Sequence, residues 1–203
     1  MNTLKHCLLL VAAGAALTAG AFAAPAQVGH AAPAFTLTDL AGQSRSLADF
    51  KGKTVVLEWV NPDCPFVKKH YHSQNMQQLQ RTATADGAVW LQINSAASGA
   101  EGDYAPAAAA KWLKEVGAAS TAYLRDPQGT VGHLYDARTT PHMFIIDGAG
   151  TLVYAGGIDS IRSSNEADIA KATNYVSAAL ADLKAGRPVG TPNSRPYGCS
   201  VKY

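Results

Sequence analysis

The sequence is short of the features that would place it in most specialised classes. Of its 203 residues only 16% are charged and the formal net charge is +2, so it carries no strong electrostatic signature for nucleic acid or an acidic partner. Hydrophobic residues at 47% and aromatic ones at 8% exclude a disordered chain, and glycine and proline follow no collagen-like period. Beyond the first two dozen residues no apolar run is long enough to span a bilayer. Cysteine is scarce as well. There are three, and an odd number in a chain that begins like an exported one needs an explanation.

Residues 1–23 read as a secretory leader. Lys5 and His6 form a short basic end, Leu8-Leu9-Leu10-Val11 opens an uncharged run, and Ala21-Phe22-Ala23 offers small residues for cleavage. Gly14 and Gly20 interrupt the run, which falls short of the roughly 20 apolar residues of a membrane span, so cleavage near Ala23 is expected rather than a stable membrane anchor. Cys7 lies at the start of the run, the wrong end for a lipoprotein cleavage site. Cleavage leaves about 180 residues, enough for one domain with a sizeable core. It also leaves Cys64 and Cys199 in a periplasmic or secreted, oxidising location.

The mature chain divides into an Ala- and Pro-rich extended arm at 24–34, a domain over 35–186 and a tail at 187–203 that has no core of its own. Phe35 to Leu40 alternates apolar and polar residues ahead of the Ala41-Gly42-Gln43 turn, as a short strand or hairpin would. Val55-Val56-Leu57-Glu58-Trp59-Val60 and Ala88-Val89-Trp90-Leu91-Gln92-Ile93 read as buried strands, each followed by a helical stretch, the first from Pro65 to about Thr82 and the second from Pro106 to Val116. Gly148-Ala149-Gly150 joins two further strands as a hairpin turn, not a nucleotide loop. Ser164 or Asn165 is the expected cap of a last helix with Ile169, Val176, Leu180 and Leu183 on one face, stopped by Gly186 and Pro188. This order predicts an α/β domain: a central mixed sheet with helices on both faces, and no internal repeat.

Cys64 stands between a predicted buried strand and the first turn of a helix, where unpaired backbone N–H groups and the helix dipole favour a thiolate, and Lys68 follows one turn on. The alternative is a small, inert core cysteine, for which Pro62, Asp63 and Pro65 are poor neighbours. This strand–cysteine–helix unit, together with Thr139-Thr140-Pro141-His142-Met143-Phe144-Ile145-Ile146-Asp147 before a hairpin, resembles the thioredoxin superfamily. The segment from Pro33-Ala34-Phe35 to Gly52-Lys53 resembles the N-terminal extension of its redoxin, or alkyl hydroperoxide reductase-like, branch, and the likeness runs over about residues 33 to 185. The resemblance implies a thioredoxin-like fold, with Pro141 as a cis-proline facing the active site and Thr140 offering backbone contacts to a bound chain or thiol.

The departures from that family narrow the expectation. Cys64-Pro65-Phe66-Val67 keeps the first cysteine of a Cys-x-x-Cys motif and puts Val67 where the second would stand. The peroxiredoxin pattern of Pro, Thr or Ser, and Cys is also missing: counted back from Cys64, Leu57 and Asn61 occupy its positions, and Arg138 is out of register with the family's arginine. The whole looks most like a peroxiredoxin-like subgroup with a single thioredoxin-type nucleophile. The expected function is therefore thiol–disulfide exchange with protein or small-molecule thiols, Cys64 acting as nucleophile and Cys199 as resolving cysteine, with no organic cofactor and no nucleic-acid partner.

Three alternatives stay open at this point. Cys64 and Cys199 form either a redox couple or a permanent staple across a loop of about 135 residues, which in the chain-entropy model contributes roughly 4–5 kcal/mol. A thiol peroxidase in which Cys64 becomes a sulfenic acid is the second enzymatic reading. A copper-handling protein, with Cys64, Cys199 and His142 as soft-metal ligands, is the third. His70 and His72, two apart on a helix, point in different directions and do not suit one ion. His30, His70, His72 and His133 are taken as surface histidines, Lys68-Lys69-His70 as a solvated face, and Trp59, Trp90 and Trp112 as core.

Overall fold

A computed structural model describes residues 24–203; residues 1–23, where a leader is expected, lie with Cys7 outside the described residues. Strands β1 (Thr36–Asp39) and β2 (Ser44–Ser46) form the N-terminal hairpin, and a 3-10 turn at Leu47–Phe50 leads to β3 (Val55–Trp59). Helices α1 (Pro65–His72) and α2 (Asn75–Ala85), β4 (Val89–Asn94), α3 (Pro106–Val116), β5 (Ala122–Arg125) and the short α4 (Thr130–Leu134) follow. The chain then forms β6 (Thr139–Thr140), β7 (His142–Ile146), β8 (Leu152–Gly156), a 3-10 turn at Glu166–Lys171, α5 (Tyr175–Lys184) and β9 (Cys199–Ser200).

Seven strands make one sheet in the order β2-β1-β5-β4-β3-β7-β8, and β6 pairs with β9 separately. β3, β4 and β5 run parallel, while β7, β8, β1 and β2 are antiparallel to their neighbours, giving a mixed sheet. The central strands β3, β4 and β7 are buried throughout, as their near-continuous apolar runs require. Strand alternation splits the core in two. Val56, Trp90, Met143 and Ile145 face Val67, Tyr71, Met76, Ala109 and Val176 of α1, α2, α3 and α5. Leu57, Trp59, Leu91, Ile93 and Phe144 face Phe35, Val131 and Tyr135 on the other side, with Leu47 and Phe50 packed at its margin. Both faces carry helix, unequally, since the second has only α4 and the 3-10 turn.

Two expectations are corrected. The helix expected from Pro65 to Thr82 is broken at Ser73-Gln74: Ser73 Oγ donates to the carbonyl of Lys69 at 2.7 Å, and Gln74 adopts φ +63°. That left-handed residue turns the chain so that Gln77 reaches the carbonyls of Tyr71 and Val116, at 2.8 and 2.6 Å. Asn165 caps only the 3-10 turn, through Ala167 N at 3.1 Å, while α5 starts afresh at Asn174, whose side chain accepts from Ser177 N at 2.9 Å. Ile169 therefore does not share the α5 face with Val176.

The tail, which has no core of its own, is a strap tied down along its length. Ser194 N donates to Ala155 O at 3.2 Å at the edge of β8, and Ser194 Oγ accepts from Gly157 N at 2.9 Å. Thr139 and Thr140 pair with Ser200 and Cys199 in antiparallel register, and Val201 N donates to Arg138 O at 3.1 Å. Ala97 N donates to Lys202 O at 2.7 Å, and the Tyr203 ring stacks on His133 at 4.0 Å between centroids. Gly198 lies at φ +140°, and a Cβ there would collide with the Thr140 carbonyl oxygen, so glycine is required on both counts.

Candidate active site

Cys64 is the N-cap of α1, with Pro65 in the first helical position, where a missing N–H costs nothing. Strand β3 ends at Trp59, and a turn closed by Cys64 N donating to Asn61 O at 3.1 Å carries the thiol to the helix. Asn61 in turn accepts from Asp63 N at 2.8 Å. Cys64 is fully buried within the core cluster that holds Val60 and Val67. Its Sγ lies 3.0 Å from the carbonyl oxygen of Thr140 and 2.8 Å from Sγ of Cys199. Cys199 is partly exposed, and burial, followed by the neighbouring Cys64, pushes its thiol up to about 12.

The structure thus brings Cys64, Cys199, Thr140 and Pro141 together. The Thr140–Pro141 peptide is cis, and Thr140 Oγ1 is buried without a hydrogen-bond partner. His142 is placed differently from a metal ligand. It heads β7 opposite Trp59, its Nδ1 accepts from Arg138 N at 3.2 Å, and burial lowers its pKa to about 4. Among the described residues no three His, Cys, Asp or Glu side chains converge as a metal site requires, so the copper set of Cys64, Cys199 and His142 is not assembled. Val67, at the position of the missing second cysteine, is core, and Lys68 is exposed.

Two buried polar clusters were not anticipated. Lys69 and His70 are not a solvated face but are buried at 2% and 0% exposure. Asn75 Nδ2 donates to His70 Nδ1 at 2.8 Å, which leaves Nε2–H to face Tyr197 Oη at 3.2 Å, and Tyr197 donates to Asp159 Oδ1 at 2.6 Å. Burial, and secondarily Lys69, lowers His70 to about 3, consistent with this neutral tautomer. Lys69 Nζ lies 3.6 Å from Asp159 Oδ2, an oxygen with no hydrogen bond of its own. Tyr197 belongs to the strap, two residues before Cys199, and its ring also meets Phe66 edge-on at 5.9 Å. The cluster therefore ties the strap to the helix that Cys64 begins.

The second cluster surrounds Glu58, the one acid in β3. Its carboxylate accepts from Trp90 Nε1 at 2.7 Å, Tyr71 Oη at 2.8 Å and Gln80 Nε2 at 3.1 Å. Despite these donors, complete burial raises its pKa to about 7. An acid inside an apolar strand was the sequence signal for Glu58, whereas nothing local marks Lys69 and His70 as buried.

A mixed α/β sheet with a cysteine at the β3–α1 junction, set against a Thr-cis-Pro peptide, defines a thioredoxin-like protein of the redoxin branch. The chain belongs to the AhpC/TSA family, which matches residues 28–155. Among solved structures it is similar to an uncharacterized conserved protein from Geobacillus kaustophilus, at 30% identity over 87% of this chain and 92% of that one, with a TM-score of 0.75. A hypothetical protein from Sinorhizobium meliloti gives 25% identity over 89% of this chain and 97% of its own, with a TM-score of 0.73. A protein from Chlorobium tepidum assigned as the thiol:disulfide interchange protein DsbE gives 27% identity over 64% and 84%, with a TM-score of 0.52. A search of the curated proteins found no match.

Proposed function

We propose that this chain is an exported thiol–disulfide oxidoreductase whose redox pair is Cys64 and Cys199. The observation that carries the reading is the 2.8 Å between two sulfurs 135 residues apart in sequence, brought together by a strap built for that approach. Membership of the AhpC/TSA family and likeness to a DsbE-type interchange protein support thiol chemistry of this kind. The Cys64 thiolate attacks a substrate disulfide, forming one S–S bond and expelling one thiolate. Cys199, deprotonated, then attacks Cys64, forms the intrachain disulfide and releases the second thiolate, so two electrons reach the substrate. The Thr140 carbonyl and the edge of β6 hold the two sulfurs in line. The substrates are protein or small-molecule disulfides in a periplasmic or secreted setting. Among the described residues no helix is long and apolar enough to cross a membrane.

Turnover of a model disulfide by the full chain, with Cys64→Ser and Cys199→Ser beside it, tests this. Cys64→Ser abolishes turnover, and Cys199→Ser stops at a mixed disulfide on Cys64. Undiminished turnover in Cys64→Ser would sink the assignment. A reduction potential below about −300 mV would make the pair a structural staple instead. Turnover of hydroperoxide but not of disulfide would move the protein to the peroxidase class.

A further inference from the structure

In the reduced protein no bond joins Cys199 to Cys64, and lifting the strap carries Cys199 away and uncovers Cys64. Once the disulfide has formed, that freedom is gone: the bond itself holds Cys199 over Cys64, whose sulfur is fully enclosed by the core. Thiol–disulfide exchange needs the attacking sulfur to approach in line with the bond that breaks, so access decides which sulfur is attacked. No such approach reaches Cys64, whereas Cys199 keeps an outward side. The strap also fills the edge of β6, with Cys199 opposite Thr140 and Ser200 opposite Thr139, so no added strand of a polypeptide can dock there.

We propose that the oxidised protein is regenerated by a small thiol that attacks Cys199, the outer sulfur, and releases Cys64 as the leaving thiolate. The inference rests on the Cys64–Cys199 pair being the redox couple. In the first step the incoming thiolate bonds to Cys199 Sγ, the Cys64–Cys199 bond breaks, and its electron pair stays on Cys64. In the second, another thiolate attacks the small-molecule sulfur of the mixed disulfide, frees Cys199 as a thiolate that takes up a proton, and leaves as the small disulfide. Two thiols are oxidised and one intrachain disulfide is reduced. The departing charge forms at the N-terminus of α1, where the helix dipole favours it. Departure of Cys199 instead would place the charge on a thiol that burial disfavours in its ionised form.

The oxidised full-length protein is mixed with limiting reduced glutathione and quenched at successive short times with N-ethylmaleimide in denaturant. Peptide mass mapping then locates both adducts, and their ratio is extrapolated to zero time because the freed Cys64 can move the glutathione by re-attack. The expected result is glutathione on Cys199 and maleimide on Cys64 in the earliest fraction, in at least roughly tenfold excess over the reverse. Glutathione on Cys64 with maleimide on Cys199 at zero time overturns the proposal and leaves the redox pair standing. An oxidised protein whose intact mass and peptide map lack the Cys64–Cys199 bond overturns the pair, and this proposal with it.

Discussion

Replacing Tyr197 by Phe tests the idea that the strap is latched to α1 by a buried polar chain. The ring and its contact with Phe66 are retained; only the hydroxyl goes. With it Asp159 Oδ1 loses a 2.6 Å donor and keeps only Ile161 N at 3.1 Å, while His70 Nε2 loses its partner at 3.2 Å. Asp159 Oδ2 already lacks a hydrogen bond, and Lys69 beside it is buried too. A hydrogen bond to a charged buried acceptor contributes roughly 1.5–3 kcal/mol, so the strap's closed form should weaken by about 2–3 kcal/mol. A bulky maleimide reaches Cys64 in the reduced protein only when the strap lifts. Since each 1.36 kcal/mol is tenfold in a population, labelling of Cys64 should speed up roughly 30- to 150-fold. Peptide mapping separates this from labelling of the partly exposed Cys199. For a chain of this size the thermal midpoint should fall by about 4–12 °C if the strap unfolds with the rest. Labelling of Cys64 in Tyr197→Phe within about threefold of wild type would refute the latch.

Two further substitutions probe the same architecture from other sides. Glu58 has a folded-state pKa of about 7 against 4.5 for the free side chain, so keeping it protonated favours the folded state. Its stabilising contribution is fully present below pH 4.5 and is lost as pH rises through 7, by roughly 3 kcal/mol in total. Urea denaturation should therefore show wild type losing stability relative to Glu58→Gln between pH 4.5 and 8, and parallel pH profiles would refute this. Gly198→Ala places a Cβ against the Thr140 carbonyl at a backbone angle that L-residues avoid, which should strain β9 by about 1–3 kcal/mol and part it from β6. Oxidation of the two thiols should then close the intrachain bond at least about tenfold more slowly, and closure at the wild-type rate would show that β9 does not set the approach.

What the sequence revealed is what local pattern encodes. The apolar runs of β3, β4 and β7 and their punctuation by Gly and Pro are visible at a glance, and so are Cys64 before Pro65 and Thr140 before Pro141. The break at Ser73-Gln74 escaped because neither residue is a strong helix breaker and the turn depends on Gln77 reaching across to α3. Glu58 is satisfied by Tyr71, Gln80 and Trp90, a set with no sequence spacing that marks it. Lys69 and His70 look solvated until Asp159 and Tyr197 cover them. The strap escaped most completely, because its residues are fixed one by one to β8, β6, α4 and the loop after β4. Such anchoring needs no period, and its Pro and Gly content reads equally well as a mobile tail.

The 135 residues between the two thiols also set an order in time. At a synthesis rate of 5–20 residues per second, Cys64 precedes its partner by roughly 7–30 s. Throughout that interval the strand and helix that flank it can form, yet β6 has no β9 beside it and the thiol has no lid. A newly made chain therefore passes through a stage in which Cys64 stands open to any thiol or disulfide around it, and the arrival of the strap is what ends that exposure.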